Sequence, residues 1–352
     1  MAHVLSERKG IPELLLSQGR SNGCSQGATV SLDRPAEFFR HQTSLAPVSR
    51  RDVCIGMTGN RITDMLTADP VQLKEWVDFL AVDIGRRPAA RPDLLRKAAD
   101  RISAELAYFG FEVSRQPVPY RQTPHANIIA APPGSNDADH PLLVVGAHYD
   151  SVSRSPGADD NASGIAGLLE IGRLLQDKPP PGLRLAAFCP EEPPAYRTRK
   201  MGSYVYAESL RKAGRQLKGM ICLEMIGYFR DNPGSQSYPL PFMNTIYPKK
   251  GNFIAIVGNI PSMKWTRQVK KNFARGTDLP VESLNAPAVM VGIDFSDHWS
   301  FNKLGYPAAM VTDTAFYRNP HYHLPSDRPE TLDYNRMAQV VDGLAAAVQL
   351  LG

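Results

Sequence analysis

The sequence predicts an α/β sandwich around a largely parallel sheet. Two observations carry that prediction. Short apolar runs flanked by turn residues alternate with segments of helical period, and the alternation continues from near residue 70 to the C-terminus. Asp69-Pro70 opens the regular part, where Leu73, Trp76, Val77 and Leu80 follow the i, i+3, i+4, i+7 rule of an amphipathic helix. Pro92 opens a second helix, with Leu95, Ala98, Ile102 and Leu106 on one stripe. Residues 142–146 form an apolar run between turn signals, as expected of a buried strand, and 161–175 reads as a helix with Ile165, Leu168, Leu169 and Gly172 on one face. Leu183–Phe188 is a second buried strand, 201–210 a helix, 220–225 and 253–257 further strands, and 262–274 a helix. Residues 308–311 give the last clear strand. A closing helix carries Met337, Val340, Val341, Leu344, Val348 and Leu351, with Asp333 as its N-cap.

Composition acts by exclusion. The 352 residues are 43% hydrophobic, 21% charged and 8% aromatic, ordinary values for a chain that builds a sizeable core. Net charge is +5, and basic residues cluster only as short groups such as Lys249-Lys250 and Lys270-Lys271. No basic tail of the kind that tracks nucleic acid is present. No apolar run reaches the ~18 residues of a membrane span. No ordinary signal peptide is readable, since the run from Ile11 to Leu16 is short and contains Glu13. The expected location is therefore cytoplasmic, or exported if the N-terminus is mis-called. The four cysteines, at 24, 54, 189 and 222, show no CxxC spacing, so reduced thiols are expected. Residues 1–65 hold no period for long and read as a poorly ordered extension, leaving 66–352 as a single domain. The oligomeric state is not readable.

Polar residues gather where the buried strands end. The first strand runs into Ala147-His148-Tyr149-Asp150, followed by the turn Pro156-Gly157-Ala158-Asp159-Asp160-Asn161. The second ends in Cys189-Pro190-Glu191-Glu192, the third in Leu223-Glu224-Met225, and Tyr322-His323 lies near the C-terminus. Ligands of open α/β sheets bind outside the carboxyl ends of the strands. Each residue alone has an ordinary structural role: an Asp before a helix caps it, a Glu pair is a solvated edge, a single His is exposed. Together they would bring at least four carboxylates and two imidazoles to one sheet edge. Carboxylates that close repel one another unless cations neutralise them. Oxygen and imidazole donors without thiolate suit zinc or a similar divalent metal.

The segments HYDSVSRSPGADDNASG, FCPEEPP, LEMIGY, SDHWSF and HYHLPSD, in this order, resemble those of the co-catalytic dinuclear zinc aminopeptidases, a family related to glutaminyl cyclases and glutamate-carboxypeptidase-like proteins. The resemblance covers about residues 70–352. It implies a three-layer α/β/α sandwich around a mixed, mostly parallel sheet, and a metallopeptidase catalytic domain over 66–352. It implies two divalent ions, zinc foremost, held by His148, Asp160, Glu192, Glu224 and His323, with Asp160 bridging. Glu191 corresponds to the general base and Asp150 to the acid that orients His148. Glu224 departs from the family, where aspartate is commoner; its extra methylene puts the local geometry and the metal preference in question. The implied activity is hydrolysis of the N-terminal peptide bond of peptides with a free N-terminus. The alternatives are a glutaminyl-peptide cyclotransferase or a metal-free binding homologue.

Other positions are open to two readings. Asp159 is either a supporting acid or a polar turn residue, and Asp297, His298 and Tyr322 either meet substrate or pack. Cys189 and Cys222 read as small buried hydrophobes. The long connection 228–252 carries Phe229, Tyr238, Phe242 and Tyr247, and is expected to wall the cleft and favour apolar N-terminal residues.

Overall fold

The computed structural model describes residues 57–58, 61–62, 67–136 and 139–352. The expected extension over 1–65 lies outside these, apart from a short antiparallel pair, β1 (Met57–Thr58) and β2 (Arg61–Ile62). From residue 67 onward the chain builds one eight-stranded sheet of order β3-β4-β6-β5-β7-β10-β8-β9. Its strands are β3 (Glu112–Tyr120), β4 (Thr123–Ala131), β5 (Leu142–His148), β6 (Leu183–Phe188), β7 (Leu217–Leu223), β8 (Ile254–Asn259), β9 (Val281–Ala286) and β10 (Ala308–Thr312). Four of the seven pairings are parallel, namely β6-β5, β5-β7, β7-β10 and β8-β9, so the sheet is mixed as expected.

Helices cover both faces, because successive side chains of each central strand are buried on opposite sides. Leu143, Val145 and Ala147 of β5 and Ile221 and Leu223 of β7 face α1 (Pro70–Asp78), α2 (Pro92–Tyr108), α3 (Gly164–Leu175), α5 (Met263–Phe273) and α7 (Tyr334–Leu351). Leu142 and Val144, with Met220 and Cys222, face α4 (Gly202–Lys212) and Phe301 of α6 (His298–Lys303). Caps follow the expected chemistry: Asp69 accepts from the Val71 amide and Asp333 from the Arg336 amide. No helix among the described residues is long and apolar enough to cross a membrane.

Three strands of the eight-stranded sheet, β3, β4 and β9, escaped the sequence reading. The β3–β4 hairpin lies at the sheet edge, and its strand Glu112–Tyr120 carries two prolines and mostly exposed side chains. At the other edge β9 is mostly half-buried. Neither β3 nor β9 shows the apolar run that marks a central strand. The helix expected over 161–175 starts later, at Gly164, because Asp160 and Asn161 hold non-helical backbone angles.

Candidate functional site

Strand ends bring the predicted residues together. His148 is the last residue of β5, Glu191 and Glu192 follow β6, and Glu224 follows β7. These three strands are adjacent and parallel, so their carboxyl ends share one edge of the sheet. Asp160 comes from the turn after β5, and His323 from the loop after β10. Gly157 opens that turn at φ 63, a conformation that glycine adopts without steric cost. Met225 and His323 hold left-handed angles of 51° and 58° without being glycine, a local strain of about 1–3 kcal/mol each that clusters at functional sites.

Asp160 stands between the two imidazoles. His148 Nε2 lies 3.4 Å from Asp160 Oδ1 and 3.3 Å from Glu224 Oε2. On the other side, His323 Nε2 lies 3.1 Å from Asp160 Oδ2 and 3.4 Å from Glu192 Oε2. A tetrahedral ion with ligands at ~2.0–2.1 Å separates them from one another by roughly 3.3–3.4 Å. The observed spacings therefore fit donors gathered around a cation on each side. One donor atom each from His148, Asp160 and Glu192 lies within 4.8 Å of the others. Glu192 Oε1 is buried without a hydrogen-bond partner, as a ligand atom for a cation would be.

Charge is heavily perturbed here. Burial alone would lower the His148 imidazole, but the Glu224 charge and the adjacent Asp150 and Asp160 carboxylates hold it well above its ordinary value. His323 is pushed up to about 10 in the same way, by Asp160 and Glu192 against burial. Burial would raise Asp160, yet the two imidazoles hold it below the usual carboxylate range. Glu192 is raised to about 8 by burial and by the Asp160 charge. Burial, then the nearby carboxylates Glu192 and Asp297, push Glu191 well above its ordinary value, while His148 opposes. More carboxyls than imidazoles are buried together here, an excess that suits a bound cation.

Asp150 organises the far side of His148. Its carboxylate accepts from the backbone amides of Glu191 (3.0 and 3.1 Å) and Glu192 (3.1 Å), and Oδ1 lies 3.5 Å from His148 Nδ1. It thus fixes the glutamate pair as well as facing the ring. Asp159 is fully buried and accepts from the Gly227 amide at 3.0 Å and the Asn319 side chain at 2.7 Å, so it does not face solvent as a polar turn residue would. Asp297 and His298 are also fully buried, His298 Nε2 lying 2.6 Å from the Ile293 carbonyl. Tyr322 stacks on His323 with ring centroids 3.9 Å apart. Cys189 and Cys222 are buried, with thiols that burial pushes well above their ordinary value.

Two supporting groups were given no role by the sequence, although Asp327 closes the HYHLPSD segment. Arg87 is fully buried and donates to the carbonyls of Tyr149, Leu80, Gly85, Pro156 and Gly157, tying both ends of the 149–157 loop to the helical layer. Asp327 accepts from the amides of Asp159 (2.8 Å) and Asp160 (3.2 Å) and is pushed up to about 7 by burial and the Asp159 charge. Arg87 reads as half of a surface Arg-Arg pair, and only tertiary structure separates it from Arg86.

A cavity of about 90 Å³ opens beside Glu224 and Tyr322, several times the ~10–15 Å³ that one water needs. Tyr238 and Tyr247 from the long connection form one wall, stacked with centroids 5.6 Å apart. Their hydroxyls donate to the Pro248 and Ser283 carbonyls, leaving rings toward the space. Of the other aromatics in that connection, Tyr228 and Phe229 are buried and Phe242 is exposed.

A sheet whose strand ends hold this acid and imidazole cluster offers a set of side chains that could hold a metal ion. Residues 127–348 match the model of Peptidase family M28, and the chain belongs to that family, whose members act on peptides. It is 47% identical over 286 residues to YfbL of Escherichia coli strain K12, an uncharacterised protein, covering 79% of this chain and 87% of the relative. It is 27% identical to leucine aminopeptidase 1 of Trichophyton rubrum, covering 74% of this chain and 66% of that one. Among solved structures, a Bacillus subtilis zinc aminopeptidase superposes with a TM-score of 0.62 at 18% identity, over 80% of this chain and 95% of the other. Porphyromonas gingivalis glutaminyl cyclase gives 0.59 at 20% identity, over 80% and 98%. At such identities these structures bear on the fold alone.

Proposed function

We propose that the protein is a zinc-dependent aminopeptidase that holds two divalent ions and uses Glu191 as its general base. The observation that carries this reading is the paired arrangement around Asp160, one imidazole and one glutamate on each side. His148, Asp160 and Glu224 would hold one ion; His323, Asp160 and Glu192 the other. When bound, the pair acidifies a water and polarises the scissile carbonyl. Glu191 follows the same strand as Glu192, but it is Glu192 that faces His323, so the Glu191 carboxylate is left to accept the proton of the attacking water. It then returns that proton to the leaving amine. Asp150 keeps both glutamate amides in place during this exchange. The cavity beside Glu224 receives the side chain of the N-terminal residue, and its ring-lined wall favours an apolar one.

Zinc-reloaded protein assayed on aminoacyl-anilides and on N-terminal glutaminyl peptides tests the reading. Release of free amino acids is expected. Ring closure of the glutaminyl peptides without hydrolysis of the anilides would instead make it a cyclotransferase, and metal content of one ion or none per chain would sink the two-ion reading.

A further inference from the structure

The sheet gives the site two flanks of opposite character. Glu224 follows β7, and the apolar cavity beside it lies over β10, β8 and β9, through Met310, Thr312, Ala255, Val257 and Leu284. On the other flank stand the ends of β5 and β6 and the tip of the β3–β4 hairpin, which reaches the same edge because β4 runs antiparallel to β6. The segments there, 121–125, 151–156 and 193–200, hold Arg121, Arg154, Arg197, Arg199 and Lys200, all exposed, and no Asp or Glu. Arg154, Arg197 and Lys200 form no ion pair with a described residue, and the Glu208 that feels Arg199 is already paired with Lys212. Cations gathered without acidic partners beside a cleft attract an anion.

Two of these cations are fixed close to the site. Arg154 Nε donates to the carbonyl of His323 at 2.8 Å, which leaves both terminal nitrogens without a partner among the described residues. Its loop is pinned by the buried Ser151, which accepts from the Arg87 amide at 3.1 Å and donates to the Ser155 carbonyl at 3.1 Å. Arg197 lies just past Glu192, in a turn closed by the Ala195 amide on the Glu192 carbonyl (2.9 Å) and by the Thr198 hydroxyl on the Ala195 carbonyl (2.6 Å). Its backbone holds a left-handed angle, φ 53, a strain that non-glycine residues keep at functional sites. Cations held in place this way lose little freedom on meeting an anion.

We infer that the enzyme selects peptides that carry a carboxylate one or two residues past the cleaved bond, with Arg154 and Arg197 as the residues that read it. The inference rests on the aminopeptidase reading above and names its substrate class. With the N-terminal side chain in the cavity and the scissile carbonyl at the acid and imidazole cluster, the leaving portion departs over the opposite flank. Two extended residues span at most about 7 Å and neighbouring strands lie ~4.8 Å apart, so a chain leaving from above β5 passes over the end of β6 within two residues. The carboxylate is either the free C-terminus of a di- or tripeptide or an acidic side chain in the second or third position. Both present the same planar anion, which a guanidinium meets through two parallel N–H bonds. Exposed pairs of this kind are worth a factor of about two to five each and are screened by salt.

The test assays zinc-loaded, full-length protein on four peptides that share an N-terminal leucine: Leu-Gly-Gly and its amide, and the amides of Leu-Asp-Gly and Leu-Asn-Gly. In wild type, kcat/KM for the carboxylate member is expected to exceed that of its neutral partner by roughly three- to tenfold in at least one pair at low salt. The ratio should fall toward one at ~1 M salt, where the Debye length is about 3 Å. An excess in the first pair identifies the C-terminal carboxylate, and in the second the acidic side chain. Arg197→Glu is expected to invert the ratio, through KM rather than kcat. Arg154→Ala should lower it about two- to fivefold, and Arg154→Lys should recover part of that. Each variant is judged by the ratio of two peptides on the same protein, so a general loss from a displaced His323 loop cancels. Wild-type ratios near one in both pairs, or ratios unmoved in Arg197→Glu and Arg154→Ala, would overturn the inference while leaving the aminopeptidase reading intact. Hydrolysis of none of the four peptides would overturn both. If the variants do not fold, the salt series on wild type decides, and a ratio that 1 M salt leaves unchanged contradicts the inference.

Discussion

His148 and His323 face the same aspartate from unequal surroundings. His148 ends a central strand, is 1% exposed, and is backed by Asp150, with Glu224 beside it held by Ser296. His323 sits in a loop at a left-handed backbone angle, is 20% exposed, and pairs with a Glu192 whose second oxygen has no partner. One half of the site is preorganised by the sheet; the other is completed by loops and opens toward solvent. Preorganised donors lose less freedom on binding, so the His148 side should hold its ion more tightly. Metal removal by dilute chelator is expected to empty the sites in two steps, the His323 side first.

The largest expected effect follows directly. His148→Ala should abolish binding of both ions at micromolar zinc, because Asp160 then loses its fixed partner, whereas His323→Ala should leave one ion bound. Equal loss in the two variants, read by metal analysis after gel filtration, would erase the asymmetry.

Next comes the brace behind the rigid half. Arg87→Ala removes five hydrogen bonds that tie the 149–157 loop to the Leu80 and Gly85 carbonyls, and it leaves the Tyr149 carbonyl without its side-chain donor while Leu80 and Gly157 keep backbone ones. Leaving buried acceptors unsatisfied costs on the order of 1–3 kcal/mol each where water cannot enter, so a loss of about 3 kcal/mol or more in urea unfolding is expected. A loss under about 1 kcal/mol would show that the loop does not depend on it.

The pH dependence of the metal-free protein is a third, smaller effect. Glu192 at about 8, Asp297 at about 7 and Asp327 at about 7 keep protons that the unfolded chain gives up near pH 4. The folded state therefore binds more protons between about pH 4 and 8, and stability falls as pH rises through that window. His323, at about 10, adds to the same trend above its ordinary value near 6.5. Chelator-treated protein should melt higher at pH 5 than at pH 8, and zinc should recover most of the difference. A melting temperature that rises with pH in the metal-free protein would contradict these protonation states.

The smallest effect concerns selectivity. Ala255 of β8 lines the apolar cavity, and Ala255→Val should shift preference from leucyl toward alanyl anilides by roughly tenfold, as expected when about two methyl groups of space are lost. An unchanged ratio would place the side-chain pocket elsewhere.

Much of this was legible in the sequence, for physical reasons that also explain what was not. Central strands such as Leu183–Phe188 are buried on both faces and so read as continuous apolar runs, and the candidate ligands His148, Glu192 and Glu224 sit where those runs stop. His148, Glu192 and Glu224 could be placed together because strand ends share an edge whatever the length of chain between them, whereas Asp160 and His323 lie in loops and were singled out through the family resemblance. The edge strands β3 and β9, half-exposed and polar, carry no such signal. Arg87 and Ser296 act through contacts to residues 62 and 72 positions away, and nothing local distinguishes a bracing arginine from a solvated one.

The central claim is that Glu191 moves the proton while other residues hold the metal. The most direct measurement is hydrolysis of leucyl-anilide by zinc-loaded wild type and Glu191→Gln, with zinc content determined on the same samples. Two ions per chain are expected in both proteins, with a rate at least ~10²–10⁴-fold lower in the variant. A variant that keeps its two ions and most of its rate would contradict that claim.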